Sequence, residues 1–240
     1  MSQALTSRFL LSKLILFLNA RQAFSFAEFW SLTSAGIYFL FRRIDPLYQG
    51  VFEKKYTARV AQLMGGGYAD AVNSGTNACY ICIKSLALKK NSKIGVSSFT
   101  DPGVFNAVRL AGLIPVPLPF VSAKDHQIDI KQLEAYICEN GLKAVIVVHT
   151  FGMAENIERI CEICQTLGVQ IIEDISQAQG ASFNGKKLGT FGDASFFSTM
   201  GRKSVISGSS GGVVFTQNKT LARKIFSIAD RGKYVSDNFE

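Results

Sequence analysis

Two histidines, His126 and His149, are all that the 240 residues contain, and so low a count argues against a histidine-rich metal centre. Equally missing is any run of arginines interleaved with aromatics. Nucleic acid therefore ranks last among the anionic partners favoured by a net charge of +8 and a pI near 9.3. A phosphorylated small molecule and an anionic membrane face rank ahead of it. Repeats and low-complexity linkers are absent, so the one expected boundary is the change of character near residue 45. No clean bilayer span occurs either: "AFSFAEFWSLTSAGIYFLFRR" is interrupted by Glu28 and diluted by polar residues. Lys13 breaks the first apolar stretch, which argues against a secretory leader.

Cysteine is sparse, with five copies that include the pairs "CYIC" and "CEIC". Such pairs suggest a shared zinc site. Both, however, sit in stretches of helical apolar spacing, "NACYICIKSLAL" and "IERICEICQTLG", where a free thiol packs as a small hydrophobe. Core thiols in a reducing compartment are the expectation.

What is present divides at the boundary. In residues 1–48, Leu10, Leu14, Phe17 and Leu18 share one helical face, which predicts an amphipathic helical segment packing on the domain or on another subunit. Peripheral membrane contact is the alternative, supported by the flanking Arg42 and Arg43. Residues 49–240 alternate helical spacing with apolar runs at "YADAV", "KIGVSS", "IPVPLPF", "AVIVV", "VQIIED", "ASFFS" and "GGVVFT". Several runs are unbroken, as in strands buried on both faces. The pattern predicts an α/β fold: a mostly parallel seven-stranded sheet flanked by helices, its last two strands close enough in sequence to pair antiparallel.

In such a sheet ligands bind beyond the carboxyl ends of the strands. The polar residues expected there are Gly75 and Thr76 in "NSGTNA", His149, Asp174, Gln177, Ser198 and then Lys203. Glycine and hydroxyls opening a helix suit a phosphate, because free backbone N–H groups and the helix dipole favour an anion. A carboxylate ending a buried strand needs a partner: a metal, a cationic side chain or a protonated ring nitrogen. Magnesium on Asp174 lacks a second carboxylate except Glu173, which points to the opposite face. A lysine, a strand-end aspartate and a phosphate cradle are together the parts that hold pyridoxal 5'-phosphate.

At this point the chain resembles a known family. "GVFEKKYTARVAQLMGGGYADAVNSGTNA", "VSSFTDPGVFNAVRLAGLIPVPL", "AVIVVHTFGMAENIERI", "VQIIEDISQAQGASFNGKKLGTFGDASFFSTMGRKSV" and "GGVVFT" are similar, in order and spacing, to the DegT/DnrJ/EryC1/StrS aminotransferases of fold type I. The resemblance covers roughly Gln49 to Gly232. It implies Lys203 as the Schiff-base lysine and Asp174 as the partner of the pyridine nitrogen. By the same resemblance Gln177 lies near the cofactor's phenolic oxygen, Gly75, Thr76 and Ser198 hold its phosphate, and His149 shapes the site. The implied reaction moves an amino group from an amino acid donor, such as glutamate, to a keto group on a nucleotide-linked sugar in polysaccharide biosynthesis. The implied assembly is a homodimer or a complex with a C-terminal companion. The expected location is cytoplasmic, with the inner face of the membrane as the alternative that residues 1–48 leave open.

Four departures qualify the resemblance. Asp101 stands where the family carries an aromatic over the cofactor ring, with Phe99 or Phe105 as substitutes to look for. Met200-Gly201-Arg202 replaces the usual lead-in to the lysine, and Arg202 would then either lower the lysine pKa or bind an anionic substrate. Ser209-Ser210-Gly211-Gly212 lacks the family glutamate, and Asp230 replaces an asparagine. Finally, the chain ends at Glu240, where family members continue into a smaller domain. A non-catalytic remnant or partner subunit is accordingly the alternative to an enzyme.

Overall fold

All seven apolar runs fall into one sheet. The computed structural model describes Thr33, residues 51–201, Lys203 and residues 210–229. The chain divides into two compact units, Met1–Phe52 and Glu53–Glu240, and the second is the one described here. The expectations for residues 1–48, Arg202, Ser209 and Asp230 lie outside the described residues.

Helix α1 spans Val51–Leu63 and ends at Gly65, Gly66 and Gly67, whose φ values of +84°, +101° and +124° stop a helix. The sheet strands are β1 (Tyr68–Val72), β2 (Lys93–Val96), β3 (Ile114–Pro117), β6 (Ala144–Val148), β7 (Gln170–Asp174), β10 (Ala194–Ser198) and β11 (Gly212–Thr216). They lie in the order β1-β11-β10-β7-β6-β2-β3. β3, β2, β6, β7 and β10 pair in parallel, whereas β11 is antiparallel to both its neighbours. The short connection before β11 has the expected consequence, and β1 adds a second antiparallel pair on the far side.

Helices α2 (Gly75–Ser85), α3 (Pro102–Leu110) and α6 (Lys219–Ala229) cover one face, and α1, α4 (Ile130–Asn140) and α5 (Ile157–Leu167) the other. Caps explain the helix starts. Ser74, Asp101, Asp129 and Asn156 each accept a backbone N–H from the first turn. Gly141 and Gly168, both at φ +64°, end α4 and α5.

Strand alternation sorts the core. Ile146, Ile172, Phe196 and Val214 pack with α2, α3 and α6, while Val145, Ile171, Phe197 and Phe215 pack on the other side. Cys79 and Cys82 belong to the first layer and Cys164 to the second. The sheet separates the two pairs, so they cannot share a zinc ion. Of the two pairs, Cys161 alone is only half-buried, and Cys138, which belongs to neither pair, is exposed on α4. Among the described residues no group of three or more His, Cys, Asp or Glu could hold a metal. Nor, among them, is any helix long and apolar enough to cross a membrane.

Two hairpins were not expected. β4 (Phe120–Ser122) pairs with β5 (Asp125–Ile128), and β8 (Ser182–Phe183) with β9 (Lys186–Lys187). Asn184 and Gly185, at φ +48° and +80°, make the tight turn of the second.

Candidate active site

Register brings the chemistry to one edge of the sheet. Phe196 pairs with Asp174 and Ser198 pairs with Gly212, so the ends of β7 and β10 meet beside the N-terminus of α2. A cleft of about 140 Å³ opens there. Seven of the eight expected residues line it: Gly75, Thr76, Asp101, Asp174, Gln177, Ser198 and Lys203. His149 does not.

The N-terminus of α2 forms one wall. Ser74 accepts the N–H of Asn77 at 3.1 Å, and its carbonyl accepts the N–H of Ala78. The first-turn N–H groups of Gly75 and Thr76 have no acceptor within the helix. Gly75 is required by packing, because a Cβ there would stand 2.7 Å from the Cβ of Ser198. Gly212 is similarly crowded by the carbonyl of Ser74. The helix terminus, Ser198 and β11 are therefore pressed together with no side chain between them.

Asp174 lies on the opposite wall and is 5% exposed. Its Oδ1 accepts the N–H of Ser176 at 2.8 Å. Burial pushes its carboxyl up, while Ser176 hydrogen bonds and the charge of Lys203 pull it down. Ser176 also accepts the N–H of Ser198 through Oγ at 2.9 Å, tying the carboxylate wall to the hydroxyl wall. Lys203 is half-buried and its N–H donates to the carbonyl of Met200 at 2.9 Å. Its charge is thus brought within reach of Asp174 from a residue 29 positions away in the chain.

Gln177 accepts the N–H of Phe151 through Oε1 at 2.8 Å, and its Nε2 has no protein partner among the described residues. Thr100 contributes an unexpected group: its Oγ1 is buried, lacks a hydrogen-bond partner and belongs to a residue on the cleft wall. Ser176 and Thr100 were both missed. Thr100 lies within "VSSFTDPGV" and Ser176 within "VQIIEDISQAQ", but a single hydroxyl beside a strand end carries no distinctive signal.

His149 sits behind the cleft, fully buried. Its Nδ1 accepts the N–H of Glu155 at 3.1 Å, which leaves Nε2 to carry the proton toward Glu173 Oε2 at 3.2 Å. Glu173 also accepts the N–H groups of Gly189, Phe191 and Gly192 at 2.7–2.8 Å. This network faces away from Asp174, as strand alternation requires. It shapes the cleft only from beneath, through the His149 N–H that donates to the Asp174 carbonyl at 3.1 Å.

Asp101 is exposed and caps α3, its Oδ1 accepting the N–H of Gly103 at 2.7 Å. Neither aromatic substitute reaches the cleft wall. Phe99 stacks on His126 with centroids 4.3 Å apart, and Phe105 packs on the core. The position over the cleft is therefore polar.

Fold and site together define a class: the large domain of a fold type I pyridoxal-phosphate protein, with a lysine, a buried aspartate and a helix terminus sharing one cleft. The model of the DegT/DnrJ/EryC1/StrS aminotransferase family matches residues 43–240, and the chain belongs to that family. Pyridoxal phosphate is the family's cofactor. The chain is 29% identical over 184 residues to a GDP-perosamine synthase of Vibrio cholerae, covering 77% of this chain and 49% of the relative. It is 32% identical to a UDP-N-acetyl-3-dehydro-alpha-D-glucosamine 3-aminotransferase of Acidithiobacillus ferrooxidans, covering 74% and 47%. A crystal structure of a DegT/DnrJ/EryC1/StrS aminotransferase from Brucella abortus superposes with a TM-score of 0.71 at 27% identity, covering 77% of this chain and 51% of that one. The chain thus spans about half the length of the curated relatives it matches.

Proposed function

We propose that the cleft binds pyridoxal phosphate on Lys203 and serves the transfer of an amino group from an amino acid, glutamate in the first instance, to a keto group of a nucleotide-linked sugar. The observation that carries this reading is the convergence of Lys203, Asp174 and the bare N-terminus of α2 on one cleft. The residues fit the cofactor. Gly75 leaves the helix terminus uncovered where a Cβ would collide with Ser198, and Thr100 Oγ1 offers a buried hydroxyl with no partner. The nucleotide sugar is suggested by the named activities of the relatives and is compatible with the chain's net charge of +8.

When bound, the cofactor supplies an electron sink for charge developing on the carbon that bears the amino group. The protein's own part is positional and acid–base. Gly75, Thr76 and Ser198 would hold the phosphate with N–H and O–H donors at the positive end of the helix dipole. Asp174 would hold a proton on the ring nitrogen, the cationic partner that its burial calls for. Gln177 would donate its free amide to the phenolic oxygen. Lys203 would attach the cofactor and then, as a free amine, carry protons during the exchange. Across the full cycle the donor leaves as a keto acid and the sugar carbonyl becomes an amine.

A homodimer is the assembly this reading adopts, and residues 1–48 are assigned to packing or membrane contact. Mixing the full chain with pyridoxal phosphate, glutamate and a panel of GDP- and UDP-linked keto sugars tests the reaction. Mass spectrometry should find an aminated sugar nucleotide with the wild type and none with Lys203→Ala. Equal product from both would refute the assignment of Lys203.

A further inference from the structure

The end of the sheet opposite the cleft carries an unbalanced group of cations. β3, β2 and β6 start side by side there. Lys93 is the register partner of Ile114, and the N–H of Lys143 donates to the Lys93 carbonyl at 2.9 Å. Lys89 and Lys90 lie in the loop between α2 and β2. That loop is tied to the start of β3 by the Asn91 N–H, which donates to the Gly112 carbonyl at 2.9 Å. Lys84 and Arg109 occupy the last turns of α2 and α3 at the same end. All six side chains are exposed, and none forms an ion pair among the described residues. Carboxylates at this end are fewer: Glu139 in the last turn of α4, and Asp193, whose Oδ2 is occupied by the Ile171 N–H at 2.8 Å.

Two large aliphatic side chains stand among these cations. Leu110 is 72% exposed and Ile114 is 43% exposed. Ala87 and Asn91, at φ +54° and +64°, bracket Lys89 and Lys90, so the loop holds a backbone shape that non-glycine residues seldom adopt. Its tie to Gly112 fixes the lysines relative to Leu110 and Ile114.

We propose that this end of the domain docks on an anionic lipid bilayer, with the lysines and Arg109 at the headgroups and Leu110 and Ile114 reaching the acyl boundary. Cations alone fit any polyanion, because each gains from a negative surface potential within a screening length. Exposed leucine and isoleucine beside the cations favour lipid, since apolar area is buried at an interface. Nucleic-acid surfaces instead gain from aromatic platforms on which bases stack, and this end presents aliphatics. Docking here turns the cleft, at the opposite end of the strands, toward solvent. None of the surface's named residues belongs to residues 1–48, and the proposal does not depend on the reaction assigned to the cleft.

Co-flotation of the full chain with phosphatidylcholine vesicles, with and without phosphatidylglycerol, tests the proposal. Every variant keeps residues 1–48, and thermal melts verify that each is folded. Wild type should bind the anionic vesicles, and the Lys89→Glu, Lys90→Glu, Lys93→Glu, Lys143→Glu variant should bind at least about tenfold more weakly, since four attractions to the anionic surface become repulsions. Leu110→Ser with Ile114→Ser should also weaken binding, more evidently at high salt, where the apolar share persists. No binding by wild type, or equal binding by wild type and the charge-reversed chain, overturns the proposal. An RNA oligonucleotide that competes fully, with the apolar variant unaffected, overturns it in favour of nucleic acid.

Discussion

Asp174 and Glu173 are adjacent carboxylates with opposite surroundings. Glu173 meets three backbone N–H groups and the His149 ring, whereas Asp174 has its protein donors on Ser176 and faces an open cleft. A buried acid whose folded pKa is raised binds its proton more tightly when folded. Its contribution to stability is therefore greatest below the ordinary carboxylate range and is lost as pH rises toward the raised value. Asp174→Asn is expected to stabilise the cofactor-free chain at neutral pH, by about 1.4 kcal/mol per pKa unit relieved. The same substitution should abolish the rise in melting temperature that pyridoxal phosphate produces in wild type. Thermal melts with and without the cofactor check both signs. A variant that loses stability in the cofactor-free form would contradict the account of Asp174 as a buried charge awaiting a partner.

Glu155 offers a second test at this scale, with a stated window. Burial pushes its carboxyl from 4.5 up to about 7, against the lowering effects of the Ile128 N–H and His149. The sign is the same as for Asp174: stability from this group falls as pH rises from about 4.5 to about 7. Glu155→Gln keeps an acceptor for the Ile128 N–H and removes the charge. Denaturation midpoints across that window should fall less steeply in the variant, with a gain of up to about 3 kcal/mol at the upper end. Parallel curves for the two proteins would show that Glu155 does not titrate there.

Elements position these residues, and their legibility in the sequence followed their physics. The buried strands announced themselves as unbroken apolar runs because both faces of the sheet are covered, and "AVIVV" is buried at all five positions. The hairpin of β4 and β5 gave no such signal: all three β4 residues are exposed. The β8–β9 turn does carry a readable hairpin signal, Asn184-Gly185, inside a stretch dense in other motifs. The start of α2 tests the element scale. Gly75→Val should shift Ser198 through the lost close approach and weaken pyridoxal phosphate binding by more than about tenfold. Ser74→Ala, which removes the cap alone, should reduce stability by about 1 kcal/mol. Cofactor titration and denaturation of the two variants separate the roles. Weakening of both properties to the same extent in both variants would mean that the cap and the cradle are one feature.

At the scale of the whole molecule, the cleft exists because a parallel sheet gathers strand ends that are far apart in sequence. Six of the seven expected residues that line it, Gly75, Thr76, Asp174, Gln177, Ser198 and Lys203, were legible because each follows the end of an apolar run. His149 stands at such an end too, yet alternation sends its ring beneath the sheet with Glu173. Sequence position fixes the strand end, and the side of the sheet depends on register that only the assembled fold supplies. The polar cover at Asp101 was legible as a departure, while its role as the cap of α3 required the structure. The central claim is that this fold aims Lys203 at a bound pyridoxal phosphate. Borohydride reduction of the full chain loaded with the cofactor, followed by digestion and mass spectrometry, tests it most directly. The account predicts a pyridoxyl modification on Lys203, absent in Lys203→Ala; an unmodified Lys203, or equal labelling of another lysine in both proteins, would contradict it.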